Sequence, residues 1–183
     1  ANIRSPASRS QASIPPHTAR FLAGTRLRLG GQRLPSTLAR VILLGITGGI
    51  GMGKSTAAAI LSKRGLPVAD TDLIARTVVE TGSAALAEIR DAFGDEMILP
   101  SGALDRQRLA EVVFADTDSR RRLEAILHPR IRSEWGRQVA EWKSQGHVGA
   151  AVVIPLLFET GAESAFDHTL CVACSTATQA ERL

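Results

Sequence analysis

The sequence contains no tyrosine, two cysteines, two tryptophans and no acidic residue before Asp70. It also lacks a long apolar run. The longest are Val41 to Ile46 and Val148 to Phe158, the second interrupted by Pro155. Both fall far short of the ~20 residues a membrane-crossing helix needs, which excludes that class. Cys171 and Cys174 form one C-x-x-C spacing with no second pair. On a strand expected to be buried they read as structural thiols of a reducing compartment, not as a redox or zinc site. No internal repeat is present. The chain is otherwise 183 residues with 44% apolar and 22% charged side chains. That is the texture of a soluble globular domain, or of one domain with an appendage.

The missing acids make the charge uneven. Residues 1–40 hold seven Arg and neither Lys nor acid, so residues 41–183 carry 15 basic against 18 acidic groups, a net charge of −3. The overall +4 therefore belongs to a basic arm. Its Ser, Pro, Arg and Gly content cannot bury enough surface to offset the entropy of ordering, and the arm is expected to be disordered. An organellar transit peptide and a non-native upstream stretch (the chain starts at Ala1) both fit it. A nucleic-acid-binding arm is disfavoured, because Phe21 is its only aromatic. No membrane partner is expected, and the location expected is cytoplasmic, or organellar if the arm is a transit peptide.

From Val41 onward strand and helix signals alternate. Val41 to Thr47 is a short buried strand ending at Gly48. Lys54 to Arg64 is an Ala-rich helix stopped by Gly65 and Pro67. Pro67 to Asp70 is a second strand, and Asp72 opens a helix running to about Glu80. Ala84 to Phe93 is a helix stopped by Gly94. Asp105 and Asp118 are expected N-caps of two more. Pro129 is expected at a first helical position, followed by Ile131, Trp135, Val139 and Trp142 on one packing face. Gly149 to Pro155 and Thr169 to Ala173 are further strands, with a helix after Ser175. Strands alternating with helices predict an α/β domain with a parallel sheet. With four strands visible by Leu183, the doubly wound pattern reads as incomplete at its C-terminus.

The strongest local signal is Gly48-Gly49-Ile50-Gly51-Met52-Gly53-Lys54-Ser55, the pattern G-x-x-x-x-G-K-S/T between a strand and a helix. Glycines let backbone amides approach phosphate oxygens, and the helix after them points its positive end the same way. The lysine brings a mobile charge to the β- and γ-phosphates, and the serine offers a hydroxyl to Mg²⁺. A guanine-reading Asn/Thr-Lys-x-Asp element and a Gln-rich transporter signature loop are both absent.

In their place the chain carries Asp70-Thr71-Asp72 at the carboxyl end of the second strand, where open α/β sheets place ligands. Two carboxylates there can divide labour, one holding the metal and one accepting a proton from an attacking hydroxyl. Helix capping accounts for Asp72 but leaves Asp70 unexplained, so at least one of the two is expected to act in the site.

These residues resemble dephospho-CoA kinase, a P-loop kinase family. The likeness extends through Ile74-Ala75-Arg76, Ala92-Phe93-Gly94, Gly102-Ala103-Leu104-Asp105-Arg106, Ile126-Leu127-His128-Pro129, Pro155-Leu156-Leu157-Phe158-Glu159 and Gln179 to Leu183. The Leu-His-Pro and Pro-Leu-Leu-Phe-Glu strings separate it from shikimate and gluconate kinases, the nearest alternative. The other is a non-catalytic nucleotide-binding protein.

The resemblance implies ATP-dependent phosphorylation of the ribose 3′-hydroxyl of dephospho-CoA, the last step of coenzyme A biosynthesis, by a monomer or weak homo-oligomer. It implies a kinase domain over 41–183, with a mainly helical acceptor-side insertion over 73–145. By matching position, Gly49, Ile50, Gly51, Met52, Gly53, Lys54, Ser55 and Thr56 would bind ATP, Asp72 would be the base and Arg182 the lid arginine. Arg76, Arg106 and His128 become candidate acceptor-site residues, although packing competes with ligand contact at His128. Val153 stands where many members have an acid, which places the metal on Ser55 and Asp70 and leaves Glu159 open. The family also continues past Leu183, with the rest of the lid and adenine contacts.

Overall fold

A computed structural model describes residues 41–183; the basic arm over residues 1–40 lies outside the described residues. Four parallel strands form one sheet: β1 (Ile42–Thr47), β2 (Val68–Asp70), β3 (Gly149–Val153) and β4 (His168–Cys171). Their order is β2-β3-β1-β4. The helices are α1 (Lys54–Lys63), α2 (Thr71–Val78), α3 (Ala84–Phe93), α4 (Arg106–Ala115), α5 (Thr117–Ser144) and α6 (Thr176–Arg182). A parallel sheet flanked by helices is the α/β architecture expected of a P-loop kinase. Among the described residues no helix is long and apolar enough to cross a membrane.

The register puts the site-bearing ends level. Ile46 of β1 and Asp70 of β2 both pair with Val153 of β3. The central strands are covered on both faces, so β3 is apolar almost throughout and Val152 is fully buried. Val153, where the resemblance led to the expectation of an acid, is 3% exposed and packs with Ile46 and Ala151. Position 153 thus belongs to the core and carries no metal-ligating oxygen on its side chain.

Four local expectations need correction. The cap of α2 is Asp70, not Asp72: its Oδ1 accepts the Asp72 amide at 2.9 Å, and the helix begins one residue earlier than expected. Likewise Asp116, not Asp118, caps α5, accepting the Ser119 amide at 2.7 Å. Each wrong choice stands two residues past the true cap and already lies in the first turn.

Pro129 does not open a helix. It lies inside the 28-residue α5. Proline in a helix interior removes one backbone bond and is tolerated when packing holds both sides. Here Leu123, Ile126 and Leu127 before it pack on a helical core around Ile89 and Met97. Ile131, Trp135, Val139 and Trp142 after it pack near Ala69 and Val152 of the sheet. Two anchored halves thus span the proline.

The fourth correction concerns Cys171. Among the described residues β4 pairs only with β1, so it is an edge strand, and Cys171 is exposed where a buried thiol was expected. Cys174 is half-buried against the glycine loop. Smaller differences are strand and helix ends shifted by one or two residues, as in α2, β3 and β4.

Candidate active site

The glycine loop runs from the end of β1 to Gly53, the N-terminal flank of α1. Gly53 takes φ 98° and supplies no side-chain cap, so the first amides of α1 have no capping side chain. Uncapped amides at the positive end of a helix are what an anion requires. Gly48 is required for a second reason: it takes φ 147°, and a Cβ there would stand 2.2 Å from the Val172 carbonyl oxygen. Only a residue without a side chain allows the chain leaving β4 to run so close to the loop.

Lys54 folds back over the loop. Its Nζ donates to the Gly48 and Gly49 carbonyls at 2.7 and 2.9 Å. Ser55 and Thr56 are exposed in the first turn of α1. Helix α6 fastens onto the same loop from the other side. Gln179 Nε2 donates to the Ile50 carbonyl at 2.7 Å, and Arg182 Nη1 to the Gly51 carbonyl at 3.2 Å. The Cys174 amide reaches Met52 Sδ at 3.3 Å.

The two carboxylates have different jobs locally. Asp70 is committed through Oδ1 to capping α2. Asp72 makes no capping bond and faces a cleft. Partial burial, followed by the Asp70 charge, pushes the Asp72 carboxyl above its ordinary value, against the opposing charges of Lys54 and Arg76. A carboxylate with its proton affinity raised is a better proton acceptor than a solvated one.

The cleft has a volume of about 550 Å³, and three distant stretches of sequence converge on it. Asp72 comes from α2, His128 and Pro129 from the middle of α5, and Pro155 and Leu156 from the turn after β3. Two hydroxyls pin that turn: Thr71 Oγ1 donates to the Val153 carbonyl at 2.9 Å and Thr47 Oγ1 to the Pro155 carbonyl at 3.0 Å. His128 and Pro129 of the first string and Pro155 and Leu156 of the second thus line one cavity together with Asp72.

Other candidates lie elsewhere. Arg106, at the start of α4, donates through Nη2 to the Arg76 carbonyl at 3.3 Å, joining α4 to α2 outside the cleft lining. Glu159 is exposed in the turn after β3. Trp135, read as a packing residue, packs near the sheet and stacks on Phe166 with ring centroids 5.8 Å apart. It also borders the cleft. Sequence reasoning missed Arg132, which lines the cleft one turn beyond His128. The signal was present in the spacing: i and i+4 share a helix face.

A glycine loop between β1 and α1, beside a carboxylate-bearing cleft at the carboxyl end of a parallel sheet, defines a P-loop phosphotransferase. The sequence model described as dephospho-CoA kinase matches residues 42–183. The chain belongs to the dephospho-CoA kinase family.

It is 49% identical over 141 residues to a dephospho-CoA kinase of Anaeromyxobacter dehalogenans, covering 77% of this chain and 67% of that protein. To the dephospho-CoA kinase of Nitrosospira multiformis it is 46% identical over 143 residues, covering 78% and 70%. A crystal structure of a Thermus thermophilus protein superposes with TM-score 0.69 at 37% identity, over 78% of this chain and 70% of that one. A dephospho-CoA kinase from Campylobacter jejuni, 20% identical with TM-score 0.55 over 76% and 92%, shares the fold.

Proposed function

We propose that this chain transfers the γ-phosphoryl group of ATP to the ribose 3′-hydroxyl of dephospho-CoA, the last step of coenzyme A synthesis. The observation that carries this reading is the convergence of Asp72, His128, Pro129, Pro155 and Leu156 on one cleft beside the glycine loop. In this reading the loop from Gly49 to Gly53, with Lys54, Ser55 and Thr56, binds the ATP phosphates. Lys54 exchanges its loop carbonyls for phosphate oxygens and absorbs charge growing on the transferred group. Asp72 orients the acceptor hydroxyl and takes its proton. Positioning dominates phosphoryl transfer, so the loop contributes at least as much as the base.

Mg²⁺ suits the oxygens offered by Ser55 and by Asp70, whose Oδ2 is not used in the cap. Among the described residues no cluster of three His, Cys, Asp or Glu side chains could hold a metal. Mg²⁺ needs none, because phosphates and water fill most of its shell. When bound, it neutralises charge on the β- and γ-phosphates. Arg182 acts from α6 on the phosphates and His128 borders the acceptor in the cleft, while Arg76 and Arg106 flank it from outside the cleft lining.

Coenzyme A formation from dephospho-CoA, ATP and Mg²⁺ tests the reading. Lys54→Ala and Asp72→Asn are each expected to lower kcat by roughly a hundredfold or more, in line with lost charge stabilisation or a lost base. Circular dichroism should remain that of the parent. Parent-like turnover in Asp72→Asn would remove the base assignment.

A further inference from the structure

We infer that Arg132 is a specificity-determining residue that grips an anionic phosphate of the acceptor; the inference rests on the proposed reaction. Helix α5 carries six arginines, and five are engaged. Arg120 pairs with Glu124, Arg121 with Asp118, Arg130 with Glu88, and Arg137 with Glu134 and Glu141. Arg122 donates to the Ala92 carbonyl at 3.2 Å. Arg132 has neither a hydrogen bond nor an ion pair with any described residue, and it is the arginine of α5 that lines the cleft.

Its position fits an acceptor site. His128 and Arg132 stand four residues apart on one helix, with Asp72 from α2 on the same cavity. Lys54 and Arg76 oppose the Asp72 charge from outside the cleft lining, so a polyanionic acceptor entering the cleft still needs a fixed cation within it. Arg132 meets that need with a planar fork suited to phosphate oxygens, and is always charged. Arg132 is itself exposed, so its guanidinium is free to meet a phosphate, with Ile131, Trp135 and Ile154 as the apolar wall beside it. Arg132 therefore selects acceptors that carry phosphate over those presenting only a ribose hydroxyl.

Acceptor binding is measured by the fluorescence of Trp135, in a Trp142→Phe background so that a single indole reports. Dephospho-CoA is expected to bind Arg132→Gln roughly tenfold more weakly or worse, as for a lost charge-assisted bond. Arg132→Lys should restore part of the loss. Adenosine, which has the ribose hydroxyl and no phosphate, should bind parent and variant alike. In turnover the KM for dephospho-CoA rises while that for ATP stays. Dephospho-CoA affinity within about twofold of the parent, or an equal loss for adenosine, overturns the role of Arg132 while leaving the reaction intact. A parent protein that neither binds nor phosphorylates dephospho-CoA overturns both.

Discussion

Asp70 and Asp72 are separated by one residue and differ in everything that decides chemistry. Asp70 caps α2, and Asp72 faces the cleft with a raised proton affinity. Part of that rise is repulsion from Asp70, which gives a test at the scale of single residues. Asp70→Asn keeps an oxygen for the Asp72 amide, so the cap survives. The variant removes a negative neighbour, so the Asp72 carboxyl loses its proton at lower pH. In the metal-free protein the Asp72 titration, followed by carboxyl NMR, should therefore move down in pH. An unmoved titration would show that the Asp70 charge does not raise it. Capping also shows why the sequence misled at this point. Either acid of Asp-Thr-Asp can accept an amide, and only the backbone angles, extended at Asp70, decide between them.

In the proposed reaction, helix α5 is the element on which the acceptor side depends. Its first half packs on the helical core and its second on the sheet, and the cleft opens where the halves meet, at His128 and Pro129. An interior proline is destabilising, so Pro129→Ala should raise stability by about 1–3 kcal/mol by restoring the amide bond to residue 125. The same change loses a cleft wall, so the KM for dephospho-CoA should rise. Chemical denaturation and steady-state kinetics read the two effects separately; a fall in stability would show that the ring's packing outweighs the missing bond. The apolar stripe Ile131, Trp135, Val139 and Trp142 was legible because it repeats at helical spacing. The continuity of α5 through Pro129 was not, because proline at a helix start and proline inside a helix look alike until both flanks are packed.

At the scale of the whole molecule, the phosphate half of the site was readable residue by residue, whereas of the cleft only members such as Asp72 and His128 were, and not their meeting with Arg132 and Trp135. Gly48 to Ser55 is one uninterrupted string whose chemistry is local. The cleft draws on residues near 72, 130 and 155, brought together by a sheet order in which β3 sits between β1 and β2. Alternation of strands and helices announces a parallel sheet but is silent about that order, and so about which loops become neighbours. The assembled site predicts a coupling between ligand and global stability. ATP with Mg²⁺ at about a hundred times its Kd should add about 2.7 kcal/mol to unfolding, seen as a higher melting temperature. Lys54→Ala should lose most of that shift, because the nucleotide would no longer distinguish the folded loop as strongly.

The lysine's bonds to Gly48 and Gly49 bear on how fast such a site fills. The Lys54 ammonium is held by two carbonyls of the loop it serves. Those bonds tie both carbonyls to one cation and favour a single arrangement of this part of the loop. Loading then swaps one set of partners for another on a frame already built, a rotation of one side chain rather than the ordering of a whole loop. Nucleotide entry should accordingly run at the pace of diffusion and side-chain motion, with the slower events of the cycle left to the parts that must move around the acceptor.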